Sequence, residues 1–222
     1  MTLPRTSSQP PATALTLFPR VELLSALSHE VANHLTAVRM HAELFEFGRA
    51  PHKSSRAVVL TAGRAGLLCA CVRPLSEESH TNPRSVLNPI ALLDAIRERT
   101  ASMYDTKFPL ELQSCEALRS VRGDLEECTR ALSLLAVELH CAADGASPIF
   151  LSSSVSRAHI EISLGVQCAR LPMINPSQPG GGVVLAMHVA DAIARRHGGW
   201  LSLHSMPLMH TASLWLPGTE QP

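Results

Sequence analysis

The stretch VELLSALSHEVANHLTAVRMHAELFEFG, residues 21–48, decides how this chain is read. Apolar residues recur at Leu24, Leu27, Val31, Leu35, Val38, Ala42 and Phe45, always three or four positions apart. A helix brings such positions onto one face, so the spacing predicts a long amphipathic helix. Gly48 and Pro51 close it, the glycine by tolerating a left-handed backbone and the proline by lacking a donor. At about 100° per residue, His29, Asn33, Thr36 and Met40 fall opposite the apolar seam, with Glu30 on the flank. One turn of helix thus presents three chemical groups to solvent. The imidazole is a nucleophile and proton carrier near neutral pH. The carboxylate can orient it or take its proton, and the carboxamide can position a water or a substrate oxygen.

After the connection RAPHK, residues 49–53, Ser54 or Ser55 can cap a second helix that runs to about Leu75, with Val58, Ala62, Ala65, Leu68 and Val72 on one stripe. So short a connection makes the two helices antiparallel neighbours. Two narrowly striped helices cannot enclose a core, and pairing with a second hairpin into a four-helix bundle buries both seams, so a homodimer is expected. Residues 1–17, rich in Pro, Ser and Thr, read as a disordered tail, and residues 18–78 as the hairpin domain.

The segment SEESHTNPRS, residues 76–85, reads as a linker to a second domain over 84–217. Its pattern predicts helices over 89–103, 124–142 and 183–196 and strands over 109–113, 149–155, 159–166, 200–205 and 211–216. Helices interspersed with hairpin-like strand pairs give an α+β sandwich, with helices on one face of a largely antiparallel sheet. Trp200 and Trp215 read as core or hairpin-pair residues. His188, Asp191 and His197 read as solvated helix positions, and Arg195 and Arg196 as cations complementing a helix C-terminus.

The 222 residues are 45% apolar, with 19 basic and 19 acidic side chains, so a packed core is affordable and the formal net charge is zero. Without a Lys/Arg block, nucleic acid and anionic membranes are not expected partners. No run reaches about 18 uninterrupted apolar residues; residues 131–143 are broken by Glu138 and His140. The N-terminus lacks a continuous apolar region of the secretory kind, so a cytoplasmic location is expected. Six cysteines without C-x-x-C spacing read as buried reduced thiols. His29 and His34 are five apart, about 140° around a helix, and cannot grip one ion, so no metal site is expected.

The run S-H-E-V-A-N-H-L-T, Ser28 to Thr36, resembles the H-box of bacterial histidine kinases and histidine phosphotransferases. The resemblance implies that His29 carries a phosphoryl group exchanged with the aspartate of a response-regulator receiver domain, whose own Mg²⁺ supports the transfer. It implies that Glu30 holds the ring's tautomer or takes its proton, and that Asn33 matches the position that orients water in bifunctional kinases. His34 stands where the family usually carries Pro.

The second domain is similar in outline to the ATP-binding domain of the same family: V-R-G-D-L-E-E (121–127) resembles the stretch opening the N-box helix, and G-G-G-V-V-L-A-M (180–187) with A-R-R-H-G-G-W-L-S-L (194–203) resembles the G2 box, its helix and the turn after it. The nucleotide-binding parts are missing. The N-box asparagine has no counterpart in 131–143, where Glu138 takes its place, and Q-C-A-R-L-P (167–172) replaces the D-x-G-x-G motif. Gly180 and Gly182 remain as a vestige of the phosphate loop. ATP binding is therefore not expected, and no intrinsic cofactor is assigned. A kept phosphoacceptor beside an eroded pocket is similar to dimeric ChpT-type histidine phosphotransferases. The alternatives are a divergent active kinase with Mg²⁺ on Glu138, and a pseudokinase scaffold or receiver phosphatase using Asn33.

Overall fold

A computed structural model describes residues 20–46, 53–76, 86–103, 108–115, 120–143, 147–156, 158–168 and 182–219. The expected tail, most of the helix connection and the linker, and Gly180 lie outside them. The helical hairpin consists of α1 (Arg20–Glu46) and α2 (Lys53–Ser76). Then follow β1 (Val86–Leu87), α3 (Pro89–Ser102), β2 (Leu110–Cys115), β3 (Val121–Arg122) and α4 (Leu125–Ala142). The chain continues through β4 (Ile149–Ser156), β5 (His159–Gln167), α5 (Gly182–Arg196), β6 (Trp200–Met206) and β7 (Met209–Pro217). The sequence pattern missed only the two-residue strands β1 and β3, which are too short to show a period.

Five strands form a sheet in the order β2-β4-β5-β7-β6; β2 runs parallel to β4 and every other pair is antiparallel. Alternation along the strands splits the sheet into two faces. Leu151, Ile160, Ile162, Leu164, Leu214 and Leu216 are fully buried on the helix side. On the other side Ser152, Ser163, Ser213 and Ser202 stand in register across four strands, and the Ser163 and Ser213 hydroxyls are 2.8 Å apart. Trp200 opposes Trp215 with ring centroids 5.6 Å apart, and Trp215 Nε1 donates to Ser202 Oγ at 2.8 Å, which makes the tryptophans a cross-strand pair.

The second helix starts at Lys53, ahead of Ser54 and Ser55, so neither of the expected residues caps it; α4 and α3 do carry side-chain caps. Asp124 Oδ1 accepts from the Glu127 amide at 2.9 Å, and Asn88 Oδ1 accepts from the Ile90 amide at 2.9 Å with Pro89 in the first turn. The end of α5 turns on Gly198, at φ +77°, and on Gly199, where any Cβ would lie 1.8 Å from the Trp215 carbonyl oxygen.

His188, Asp191 and His197 are buried, against the expectation of solvated positions. The reason is that α5 is packed on several sides, by α1, α2, α4 and the sheet. Asp191 is satisfied there: Oδ1 accepts from the Leu201 amide at 2.9 Å and Oδ2 from Arg195 Nε at 2.8 Å. Arg196 donates to the Pro74 carbonyl and approaches Glu127 at 3.4 Å, so it ties α5 to α2 besides facing a helix terminus.

One apolar cluster runs from Leu23, Leu27, Leu68 and Cys71 of the hairpin through α3, α4 and α5 into the sheet. Pro74 sits inside α2 and has no N–H for the Ala70 carbonyl four residues back; Arg130 Nη1 of α4 reaches that carbonyl at 3.4 Å instead. Against the sequence expectation, Ala57–Ser76 of α2 is long and apolar enough by composition to cross a membrane, although 35% of that window is buried within the fold. The expected seam of α1 is divided. Leu27 is buried and Leu24, Val31 and Val38 are half-buried, while Leu35 is 57% and Phe45 44% exposed. The side facing α2 is carried by Leu23, Leu27 and His34.

Candidate functional site

The α1 helix presents His29 and Asn33 to solvent, with Glu30 half-buried beside them. One turn separates the first two, and Asn33 Nδ2 lies 3.2 Å from His29 Nδ1 and 3.4 Å from Glu30 Oε2. An amide nitrogen only donates, so this contact needs a lone pair on Nδ1 and leaves Nε2 as the protonated nitrogen of the neutral ring. Thr36 and Met40 are also exposed, and Thr36 Oγ1 is occupied in donating to the Ala32 carbonyl at 2.9 Å. The three residues picked from the sequence therefore stand together on the hairpin.

His34, only 7% exposed, faces the other way, so the two histidines of the H-E-V-A-N-H run do not converge. Its Nε2 is 3.5 Å from Glu30 Oε1. Burial, and next the Arg64 charge, hold the His34 imidazole below its ordinary pKa of 6.5, against the opposing pull of Glu30 and Glu138.

Behind His34 lies the feature that the sequence did not disclose. Arg64 of α2 grips Glu138 of α4 as a fork, Nε to Oε1 at 2.7 Å and Nη2 to Oε2 at 2.6 Å. Burial by itself would lower the Arg64 pKa, but the hydrogen bonds and charge of Glu138 outweigh it and hold the guanidinium above its usual range. Glu138 also abuts the start of α5, because a Cβ on Gly182 would lie 2.2 Å from Glu138 Oε2 and 3.1 Å from Arg64 Nη2. Only a residue without a side chain leaves room for the fork. The chain thus places its own carboxylate at the positive end of α5 and its own cation against that carboxylate. Gly182 is the first residue of α5, and Gly180 lies outside the described residues.

A structure of the Acinetobacter baumannii histidine kinase AdeS superposes with a TM-score of 0.52 at 13% identity, covering 86% of this chain and 98% of that one. The fold is histidine kinase-like. A histidine kinase from Burkholderia phymatum scores 0.48 at 18% identity over 87% of this chain, and a bacterial phosphotransferase scores 0.48 at 15% identity over 90%. They cover 98% and 99% of those chains. No protein-family profile matches the sequence. No curated protein matches it either.

Arg64 escaped the sequence reading, and Glu138, which was read only as standing at the N-box asparagine's place, was not paired with it. Arg64 and Glu138 each stand as the one charge in a short apolar stretch, AGRAG and AVELH. A charge that cannot reach water needs an opposite one, and that complementarity was the available signal for pairing them. His34 was read as a failed metal ligand and as the residue in the family's proline position, not as a neighbour of Glu30.

Proposed function

We propose that the chain is a histidine phosphotransfer protein of a two-component phosphorelay, in which His29 receives a phosphoryl group from one receiver domain and passes it to another. The histidine kinase-like fold supports a two-component role, and the choice of phosphotransfer over ATP-dependent autophosphorylation rests on the Arg64–Glu138 fork. In the resemblance that motivates the kinase alternative, Glu138 would hold Mg²⁺ and the start of α5 would hold phosphate. Here the carboxylate is committed to Arg64 and stands against Gly182, the first residue of α5.

In the proposed transfer the outer nitrogen of His29, Nε2, attacks the phosphorus of a receiver's aspartyl phosphate. The N–P bond forms as the P–O bond breaks, and the aspartate leaves with the electron pair, its charge met by the receiver's Mg²⁺. Nε2 must first give up its proton, so Asn33 turns away and Glu30 accepts from Nδ1–H, moving the ring to the other tautomer. Reversal passes the group on. The chain needs no cofactor of its own, and no membrane or nucleic-acid contact enters the cycle. A cytoplasmic site of action follows from the partner. Exposed Leu35 and Phe45 of α1 and Val59 of α2 fit the proposed homodimeric four-helix bundle.

The test is incubation with a receiver labelled on its aspartyl phosphate. An acid-labile adduct is expected on the wild type and none on His29→Ala; transfer undiminished in His29→Ala overturns the reading, as does labelling of wild type by Mg²⁺-ATP alone. A receiver phosphatase is the second reading, favoured by the exposed Asn33 carboxamide. It requires receiver dephosphorylation that survives His29→Ala and is lost in Asn33→Ala.

A further inference from the structure

Glu30 is held from two sides. Its Oε2 faces the Asn33 amide at 3.4 Å, and its Oε1 faces His34 Nε2 at 3.5 Å. That Nε2 is buried and makes no hydrogen bond among the described residues, and the Glu30 carboxylate is the charged group it approaches. A lone pair facing a carboxylate would be repelled, so the neutral ring carries its proton on Nε2, on the side of Glu30, in a polar contact longer than a hydrogen bond. The charged groups around the ring are Glu30 on α1, Arg64 on α2 and Glu138 on α4. Because Arg64 is locked in the fork with Glu138, the ring sits between an immobile cation and the carboxylate that serves His29.

We infer that His34 is a positioning residue for the phosphoacceptor: buried between Arg64 and Glu30, it holds the carboxylate of the residue that directly follows the phosphoacceptor in α1. This rests on the phosphotransfer reading for its consequence, but not for its geometry. His34 touches neither phosphoryl group nor receiver. It anchors one oxygen of Glu30 so that the other meets Asn33, and so keeps the carboxylate from collapsing onto His29 between transfers. With the anchor gone, Oε1 is released and the carboxylate rests on Nδ1–H even when no receiver is bound; there it favours the doubly protonated imidazolium, which has no nucleophilic lone pair, over the neutral Nδ1–H tautomer that it supports during transfer.

The experiment compares wild type, His34→Phe and His34→Gln in the full chain by two readouts. The first is the NMR titration of the His29 ring, and the second is the rate of phosphoryl transfer at saturating receiver. In His34→Phe the His29 ring is expected to take up its proton at higher pH, and transfer is expected to slow roughly 10- to 100-fold without a change in receiver affinity. His34→Gln keeps an N–H donor and is expected to restore both. In a Glu30→Gln background, His34→Phe is expected to add nothing, because the group being positioned is already lost. An unmoved His29 titration in folded His34→Phe overturns the inference, as does a moved titration with transfer unchanged. If the wild type accepts no phosphoryl group, the functional reading fails by that result, while the titration still decides whether His34 positions Glu30. Should His34→Phe fail to fold, His34→Gln against Glu30→Gln carries the same comparison: equal His29 titration in His34→Gln and wild type, with a shift in Glu30→Gln, supports the inference, and any other order overturns it.

Discussion

At the scale of single residues, Arg64 and Glu138 set what this site can do. Their side chains are 20% and 4% exposed, so each charge has lost most of its water and depends on the other. Such a pair adds little net stability, because desolvation offsets most of the attraction, but breaking it strands a buried charge. Arg64→Met is therefore expected to lower unfolding free energy by about 3–5 kcal/mol, and Arg64→Met combined with Glu138→Leu to recover most of that loss, both read from urea denaturation. The same commitment of Glu138 bears on nucleotide. A ligand that binds only the native state raises its melting temperature, by about 2.7 kcal/mol of stability at a hundred-fold excess over Kd. Millimolar Mg²⁺-ATP is expected to leave the wild-type melting temperature unchanged; a rise of several degrees would mean that the fork opens to nucleotide.

Among the elements, the hairpin shows which features were legible. The helical spacing of α1 and α2 and the Gly198–Gly199 turn are local signals, and the two helices and the turn lie where the sequence put them, although part of the α1 seam is exposed. Contacts between elements were not legible. Asp191 and His188 looked like solvated positions because helical spacing cannot tell how many neighbours α5 has, and Arg64 could not be paired with Glu138 before α2 was known to dock on α4. His29, Glu30 and Asn33 could be grouped in advance because a single turn of one helix carries them all. Pro74 gives an element-level test of that docking. It removes the donor for the Ala70 carbonyl, and Arg130 supplies a replacement across the helix interface. Arg130→Gln is expected to cost about 1 kcal/mol in the wild type and markedly less in a Pro74→Ala background, where the alanine N–H returns to that carbonyl. Equal costs in both backgrounds, measured by chemical denaturation, would mean that the arginine does not serve the proline's missing bond.

For the whole molecule, three arginines join the hairpin to the sheet-bearing part: Arg64 to Glu138, Arg130 to the Ala70 carbonyl and Arg196 to the Pro74 carbonyl. Together with the continuous apolar cluster they make hairpin and sandwich one cooperative body, so a change that destabilises one part is felt by the other. Acidification is such a change. His34 in the hairpin and His140 at the end of α4 both lie below the ordinary imidazole value of 6.5, each chiefly through burial, reinforced for His34 by Arg64 and opposed for His140 by its hydrogen bond to the Ser147 carbonyl. The unfolded chain binds these two protons near pH 6.5, whereas the native chain resists them until the pH falls further. Between those limits the unfolded state holds more protons, and stability declines as pH drops, with a slope of at most about 1.4 kcal/mol per pH unit for each group. Above pH 7 both rings are neutral in either state and contribute no slope. The melting temperature is therefore expected to fall between pH 7 and pH 5.5 in one transition, and to fall less in a His34→Gln, His140→Gln double variant. Two separate transitions would show that the hairpin unfolds apart from the sandwich; an equal fall in the double variant would assign the acid sensitivity to other groups.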